Sequence, residues 1–510
     1  MPESQVQDFY KGCGIFITGA TGFLGMGLVE KLLRCCPDSG KIYLLVRPKR
    51  GKAIEERLED VTKNKVFEKL KETNPDALQK LVAVAGDIGE ENLGLSDADR
   101  KLLLDNVSVV FHCAATLDFE TGIKPAVQIN LRGTRSVVQL CQSLPKLKAF
   151  VHVSSAYVNC LRREVKEELY PVEHDPDKII DQVLSVTDES ALEELSKELC
   201  GDHPNTYTYT KLLAEHVVAR AAAKVPSAIV RPSMITCAVK EPVPGWISST
   251  NGPSGFLMGA AKGVVRRLPI ATDVVYDYIP VDMVISEMIV AAWQAGTQKS
   301  SQVSIYHCTT STQNPFRWHM VYKNMNNMLR KYPLVGAVWY PNIKILTTLS
   351  LFKFSSIFVH FIPGFFLDLV ARITGGRPRL VTLHSKINSS LDRLQFFIYN
   401  EWKYHNDRTR ELTEKLTGDD KKVFDFNVGN LDWYPYFDTM ALGVRRYLNK
   451  EELKTLPAAK KKQRILQGVH YALLLAIYGV AFYTGLKLTG GDKTLALLSL
   501  PLTYLFFSII

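Results

Sequence analysis

An apolar stretch, Ile15-Phe16-Ile17, runs directly into Thr18-Gly19-Ala20-Thr21-Gly22-Phe23-Leu24-Gly25. That order predicts a strand over residues 15–18, a tight break, and a helix over residues 23–33. Glycines spaced three apart let the backbone turn sharply and let the helix lie close to the strand. The helix N-terminus, with its free amides and dipole, then suits a pyrophosphate. Few chain segments constrain a fold as tightly, because a strand so linked to a helix needs a parallel sheet around it.

The sequence supplies that sheet. Further strands are predicted over 41–46, 81–85, 107–112, 149–153 and 228–230, with helical patterns over 126–144 and 211–223 among them. The strands are almost wholly apolar, as parallel strands buried on both faces must be. Alternation of this kind implies an α/β fold, a doubly wound parallel sheet of Rossmann type. After the second strand comes Arg47-Pro48-Lys49-Arg50. An acidic residue there binds the ribose hydroxyls of NAD, whereas basic ones accommodate the 2′-phosphate of NADP. Arg47 and Arg50 therefore point to NADPH, against the plainer reading of a solvated basic turn.

From about residue 240 the pattern loosens into loops marked by Pro242, Pro244, Gly245, Gly252, Pro253 and Gly255. In a doubly wound enzyme such loops carry substrate contacts. Residues 341–450 read as a separate helical domain rich in aromatics. Within it the apolar run 349–367 is interrupted by Lys353, His360 and Pro363, which predicts a buried or membrane-surface helix rather than a span.

The cationic excess of +10 is dispersed among acidic residues, with no basic stripe interleaved with aromatics, which argues against nucleic acid as a partner. Nine scattered cysteines fit reduced thiols rather than a disulfide framework. One basic cluster stands apart, Lys460-Lys461-Lys462-Gln463-Arg464, ahead of an apolar run over 465–486 that is long enough to span a bilayer. A second, shorter run over 494–510 contains Pro501. These features predict a C-terminal membrane anchor with its basic flank, and the catalytic body, on the cytosolic side. The polar N-terminal residues 1–11 do not resemble a signal peptide, and the sequons at Asn106 and Asn388 are read as chance.

The Gly-x-x-Gly-x-x-Gly spacing resembles the short-chain dehydrogenase/reductase superfamily in its extended branch. That resemblance implies cofactor contacts at Thr18, Gly19, Thr21, Gly22, Phe23, Leu24 and Gly25. It also implies a tyrosine acid and a lysine four residues on, which share one helix face. Four Tyr-x-x-x-Lys pairs occur, at Tyr207/Lys211, Tyr340/Lys344, Tyr399/Lys403 and Tyr483/Lys487, and with 21 tyrosines some arise by accident. Only Tyr207/Lys211 starts a helix inside the alternating region, so Tyr207 is expected to donate the proton. Lys211 is expected to hold the ribose hydroxyls and to lower the phenol pKa. Tyr209 would face the other way.

By the same resemblance, Ser155 donates to the carbonyl oxygen, although a strand-end cap is its simpler role, and Asn130 supports the lysine through water. Asp87 and Ile88 lie near adenine; Cys113, Ala114 and Ala115 let backbone approach the cofactor; Pro232 and Ser233 lie beside the nicotinamide. Cys113 lacks an evident base and reads as packing.

Taken in order, Thr18–Gly25, His112–Ala115, Val153–Val158, Asn205 to Lys211, Ile229–Ser233, Pro244-Gly245-Trp246 and Asn251-Gly252-Pro253-Ser254-Gly255, followed by the late helical region, resemble the alcohol-forming fatty acyl-CoA reductases, the family that includes male-sterility proteins. Ser155 stands where relatives often carry threonine. The resemblance implies NADPH-dependent reduction of long-chain fatty acyl-CoA to a primary alcohol through an aldehyde. It divides the chain into a reductase domain over 1–340 with substrate loops from about 240, a helical domain over 341–450, a basic linker over 451–464 and a membrane tail over 465–510. A membrane-bound extended reductase acting on a sterol or keto lipid is the alternative, and a non-catalytic NADPH-binding scaffold a third reading. The strongly basic flank points to the peroxisomal membrane, with the endoplasmic reticulum as alternative; oligomeric state is open.

Overall fold

The computed structural model describes residues 4–48, 52–298 and 300–509. Seven parallel strands form the main sheet: β1 Gly14–Thr18, β2 Ile42–Val46, β3 Leu81–Ala85, β4 Val107–His112, β5 Ala149–Val153, β6 Ser227–Pro232 and β7 Ser304–Cys308. Their spatial order is β7-β6-β5-β4-β1-β2-β3, so the order reverses beside β1, between β4 and β1. In doubly wound sheets ligands bind at such a reversal, outside the carboxyl ends of the strands. Every pairing in the sheet is parallel, for example Ile17 with Leu44 and Phe111, and His112 with His152. Phe16, Val110, Phe150, Ile229 and Ile305 form part of one continuous apolar core beneath the helices.

The strand expectations hold closely, with β6 extended at both ends of the expected 228–230. The helix expected from 211 begins earlier, at Thr206, because Asn205 caps it by accepting the Thr208 amide at 2.9 Å. The helix expected over 126–144 is α-helical over Ile123–Ala126 and Gly133–Ser143, with a wider π turn over Val127–Arg132 between them.

The chain divides into two compact units that interleave in sequence. The first comprises Met1–Ile247, Asp277–Phe316 and Trp402–Asp432; the second comprises Ser248–Tyr276, Arg317–Glu401 and Trp433–Ile510. Compactness thus divides the chain differently from contiguous blocks. Residues 402–432, expected within the helical region, close onto the sheet-bearing unit through a short parallel ladder, Lys403–Tyr404 against Glu164–Val165, and a Trp402 indole N–H donating to the Cys160 carbonyl at 2.9 Å.

The second unit is mainly helical. Two of its helices are long and apolar enough to cross a membrane, Leu349–Ile373 and Leu453–Leu488, with only 6% of the second buried. The shorter helix expected over 494–510 forms two pieces, Lys493–Ala496 and Ser499–Ile509. A further helix of this unit runs over Leu380–Ile398. The 349–373 helix is inverted relative to a soluble helix. Phe354, Phe358, Ile362, Phe365, Leu369 and Ile373 point outward, while Ser355, Ser356, His360 and Asp368 are buried.

One buried carboxyl group in the first unit ties helix Val281–Thr297 to β7. Glu287 is fully buried, and Thr409 Oγ1 lies 3.1 Å from its Oε1 and 2.9 Å from Glu167 Oε1. A hydroxyl has one proton and cannot donate to both. The Glu167 carboxylate also accepts the His307 and Thr409 amides, so a proton on Glu287 completes the chain. Burial pushes Glu287 up to about 8, with the Glu167 charge acting in the same direction. The native state therefore keeps a proton that the unfolded chain releases above its ordinary carboxyl pKa. Stability from this group is full at low pH, is lost as pH rises toward about 8, and is level beyond. Chemical denaturation from pH 5 to pH 9 should show a decline approaching roughly 1 kcal/mol per pH unit, and Glu287→Gln should flatten it.

Candidate active site

The turn after β1 explains its glycines by contact. Gly19 has φ +73°, and a Cβ there would stand 2.7 Å from the Ala114 amide nitrogen. A Cβ on Gly25 would stand 2.2 Å from the Gly19 carbonyl oxygen. The first contact lets β1 and the segment after β4 approach to backbone distance, and the second seats helix Phe23–Cys35 on the turn. Gly22 is the N-cap of that helix, and no side chain caps its first amides. This is a cradle that any side chain would fill, as a dinucleotide pyrophosphate requires. Thr21 and Gly22 are exposed at its mouth, Phe23 and Leu24 are half-buried, and the Phe23 ring lies 5.0 Å from Trp246.

Thr18 ends β1 and fixes the opposite wall. Its Oγ1 lies 2.7 Å from His112 Nδ1 and accepts the Ala114 amide at 3.3 Å. Cys113, Ala114 and Ala115 line this wall half-buried. Burial pushes the Cys113 thiol up to about 12, so it is an unreactive neutral thiol at physiological pH.

At the end of β2, Arg47 pairs with Asp87 at 2.8 Å while remaining largely exposed. Arg50 lies outside the described residues. Asp87 also accepts the Gly89 amide at 2.9 Å, and Ile88 packs where a side chain on Gly133 would stand. Pro232 and Ser233 are buried at the end of β6, where the Ser233 amide donates to the Cys308 carbonyl at 3.1 Å.

The structure brings Tyr207, Ser155, Lys211 and Asn130 to the carboxyl ends of the central strands. Ser155 caps a short turn by accepting the Tyr157 amide at 3.2 Å, and its hydroxyl hydrogen-bonds the Tyr207 phenol. The Tyr209 phenol instead lies 2.9 Å from His174 Nδ1. Asn130 sits on the π turn, where it accepts the Thr116 amide at 2.9 Å and donates to Thr210 at 3.1 Å. Isolated π turns often mark functional positions; this one ties the segment after β4 to the helix that carries Tyr207 and Lys211.

The expected electrostatics need one correction. Lys211 does not lower the phenol here: burial pushes Tyr207 up to about 12, and only the Ser155 hydrogen bond pulls the other way. The Lys211 ammonium is occupied elsewhere, donating to the Val153 carbonyl at 2.6 Å and lying 3.4 Å from His152 Nε2. Burial brings Lys211 down to about 8, opposed by Glu215 and Cys113.

His112 and His152 are site neighbours that the sequence reading missed. They are in register on β4 and β5 with rings 5.2 Å apart, and both are held neutral by burial and by the Lys211 charge. Because Nε2 of His152 faces an ammonium, it accepts, which places the ring proton on Nδ1, an atom without a partner. Phe119, 5.8 Å from the Tyr207 ring, was also missed. Among the other Tyr-x-x-x-Lys pairs, Lys403 is exposed on Glu164, Lys487 rests on the Tyr483 ring within the long apolar helix, and Tyr340 stacks beneath Arg330.

Residues 17–288 and 359–451 match two families, both described as male sterility protein, the first a nucleotide-binding segment. A Drosophila melanogaster protein assigned as a fatty acyl-CoA reductase is 48% identical, with 100% of each chain aligned. Fatty acyl-CoA reductase 1 of Xenopus laevis is 39% identical over 91% of this chain and 90% of its own. Among solved structures, the terminal reductase domain of the myxalamid biosynthetic pathway aligns with TM-score 0.57 over 87% of this chain and 92% of its own. At 21% identity that likeness carries the fold alone.

A lysine charged below pH about 8 and neutral above it should make nicotinamide dinucleotide binding pH-dependent. Titration followed by dinucleotide fluorescence should show affinity falling as pH rises past that value. Lys211→Met should bind weakly with no step there.

Proposed function

The chain belongs to the male sterility family of fatty acyl-CoA reductases, and from that premise we propose that it reduces a long-chain fatty acyl-CoA to the primary alcohol, with NADPH as reductant and a membrane as its support. The observation that carries the reading is the Ser155–Tyr207 hydrogen bond set beside the glycine cradle, with Lys211 buried behind it.

The cradle formed by Gly19, Gly22 and Gly25 would hold the dinucleotide pyrophosphate, and Arg47 would meet the 2′-phosphate by exchanging its Asp87 partner. Bound there, the reduced nicotinamide supplies a hydride to the acyl carbonyl carbon. The chain's own part is proton and charge management. Tyr207 is fully protonated at neutral pH because burial raises it, so it is loaded as a donor. As the thioester carbonyl becomes an oxyanion, the Ser155 hydroxyl and the Tyr207 phenol stabilise it and Tyr207 passes over its proton. The hemithioacetal then expels the coenzyme A thiol and leaves the aldehyde. In a second reduction at the same site Tyr207 would pass a second proton to the aldehyde oxygen, giving the alcohol. In sum one acyl-CoA, two NADPH and two protons yield one alcohol, one coenzyme A and two NADP+. No cysteine ester is needed, in keeping with the buried neutral Cys113.

Solubilised protein given a long-chain acyl-CoA should consume two NADPH per alcohol formed. Tyr207→Phe should lower turnover by roughly a hundredfold or more while retaining NADPH binding. Aldehyde at one NADPH each would redefine the product. NADPH binding without turnover on any acyl-CoA would favour the sterol-type reading.

The anchor is proposed to be the Leu456–Leu488 helix, with Lys460, Lys461, Lys462 and Arg464 at the cytosolic surface. The density of that basic flank points to the peroxisomal membrane. A tagged chain with the four cations replaced by glutamine should lose peroxisomal targeting. Unchanged targeting would remove the argument from charge.

A further inference from the structure

Two buried histidines beside Lys211 take no part in the proton chemistry above, and they differ in how they are held. Thr134 Oγ1 gives its only proton to the Asn130 carbonyl at 2.6 Å, so it accepts from His112 Nε2 at 3.0 Å. The neutral His112 ring then accepts the Thr18 hydroxyl at Nδ1, 2.7 Å away. Both nitrogens of His112 are thereby satisfied within the frame of the sheet.

His152 is not satisfied in this way. It is fully buried on β5, in register with His112 of β4 and Ile229 of β6, and its Nδ1 has no hydrogen-bond partner. An unmade hydrogen bond in a core is costly. Leucine or valine, the ordinary occupants of a strand buried on both faces, would avoid it. What the imidazole offers that they cannot is at its other nitrogen, where Nε2 lies 3.4 Å from the Lys211 ammonium. A proton on Nε2 would set N–H against N–H, so the ring is held as the Nδ1–H tautomer with its lone pair toward the cation.

Lys211 depends on neutral acceptors because its nearest acidic neighbour along the helix is engaged. Glu215 is buried and holds Arg231 through both oxygens, at 2.8 Å to Nε and 2.6 Å to Nη2. The remaining groups that face the lysine are neutral: the Cys113 thiol after β4, His112 on β4, and the Tyr207 phenol one turn back on its own helix. An ammonium group has three protons. One goes to the Val153 carbonyl at 2.6 Å and a second points at His152, so adjacent residues of β5 hold the lysine and one proton is left over. We propose that His152 is a positioning residue for Lys211: its neutral imidazole accepts one ammonium proton and holds the charged lysine turned toward a bound dinucleotide. The proposal rests on the reading of Lys211 as a dinucleotide contact. Without the acceptor, the charged form would lose a hydrogen bond that the neutral form does not need, and the lysine would give up its proton nearer neutrality.

Full-length protein in detergent is titrated with NADPH, followed by dinucleotide fluorescence, from pH 6.5 to pH 9. The native chain should lose affinity as pH rises past about 8. His152→Leu should move that step down by about one pH unit, which leaves affinity within about twofold of native at pH 6.5 and roughly fivefold weaker at pH 8. His152→Gln, whose amide oxygen can stand where Nε2 stands, should return the step to its native position. If His152→Leu does not melt cooperatively, His152→Phe, which keeps a planar ring and lacks both nitrogens, decides on the same values. A step unmoved in the variant without the acceptor would overturn the proposal. So would a loss of affinity by the same factor at every pH, which is the mark of structural damage, or a native chain that binds NADPH with no step. Failure of the native chain to bind NADPH at any pH would remove the reading of the glycine cradle and this proposal with it, whereas failure to turn over an acyl-CoA would leave both standing.

Discussion

A buried ammonium group governs the architecture around Tyr207 and Ser155. Lys211 is fully enclosed, and its nearest partners are a main-chain carbonyl at the end of β5 and a neutral imidazole rather than a carboxylate. Holding a cation there costs solvation, and the depressed pKa records that cost. The arrangement persists because the surrounding elements are fixed by other bonds. His112 is tied between Thr18 and Thr134, and Asn130 between Thr116 and Thr210. Thr18, at the end of β1, also holds the wall that the glycine turn approaches. The glycine turn and the helix that carries Tyr207 are thus parts of one hydrogen-bonded lattice.

That lattice makes sense of an unusually weak acid. A phenol near 12 would be a poor proton donor to a neutral carbonyl, but it is well matched to an oxyanion that forms as hydride arrives, since alkoxides are more basic still. Full protonation at neutral pH matters more for two successive reductions than strong acidity does. In the proposed reaction Ser155 would supply a second donor at the same oxygen, which would relieve Tyr207 of carrying the developing charge alone.

The sheet and the glycine turn were legible because burial on both faces forces apolar strands and because backbone contact forces glycine. The placement of Tyr207 at the start of a helix in the alternating region was legible too. His112 and His152 were not, since a histidine in an apolar strand has no signature until its register partner is known. The return of residues 402–432 to the first unit was equally hidden. It rests on a two-residue ladder and one indole hydrogen bond, too short to leave a periodicity. The expected lowering of the phenol by Lys211 failed because spacing on a helix shows that two side chains share a face, not what each one binds.

The inverted helix Leu349–Ile373 shows where composition and structure have to be read together. By sequence, Lys353, His360 and Pro363 argue against a span. In the fold, Lys353 pairs with Asp392 at 2.7 Å, His360 accepts the Arg266 amide, and Asp368 caps the next helix. His360 and Asp368 are thereby taken inward, Lys353 stays exposed in its ion pair, and the outward face keeps Phe354, Phe358, Ile362, Phe365, Leu369 and Ile373. In water such a face would be a liability of aggregation; against hydrocarbon it is stable, and inward polar groups are the only ones that hydrocarbon tolerates.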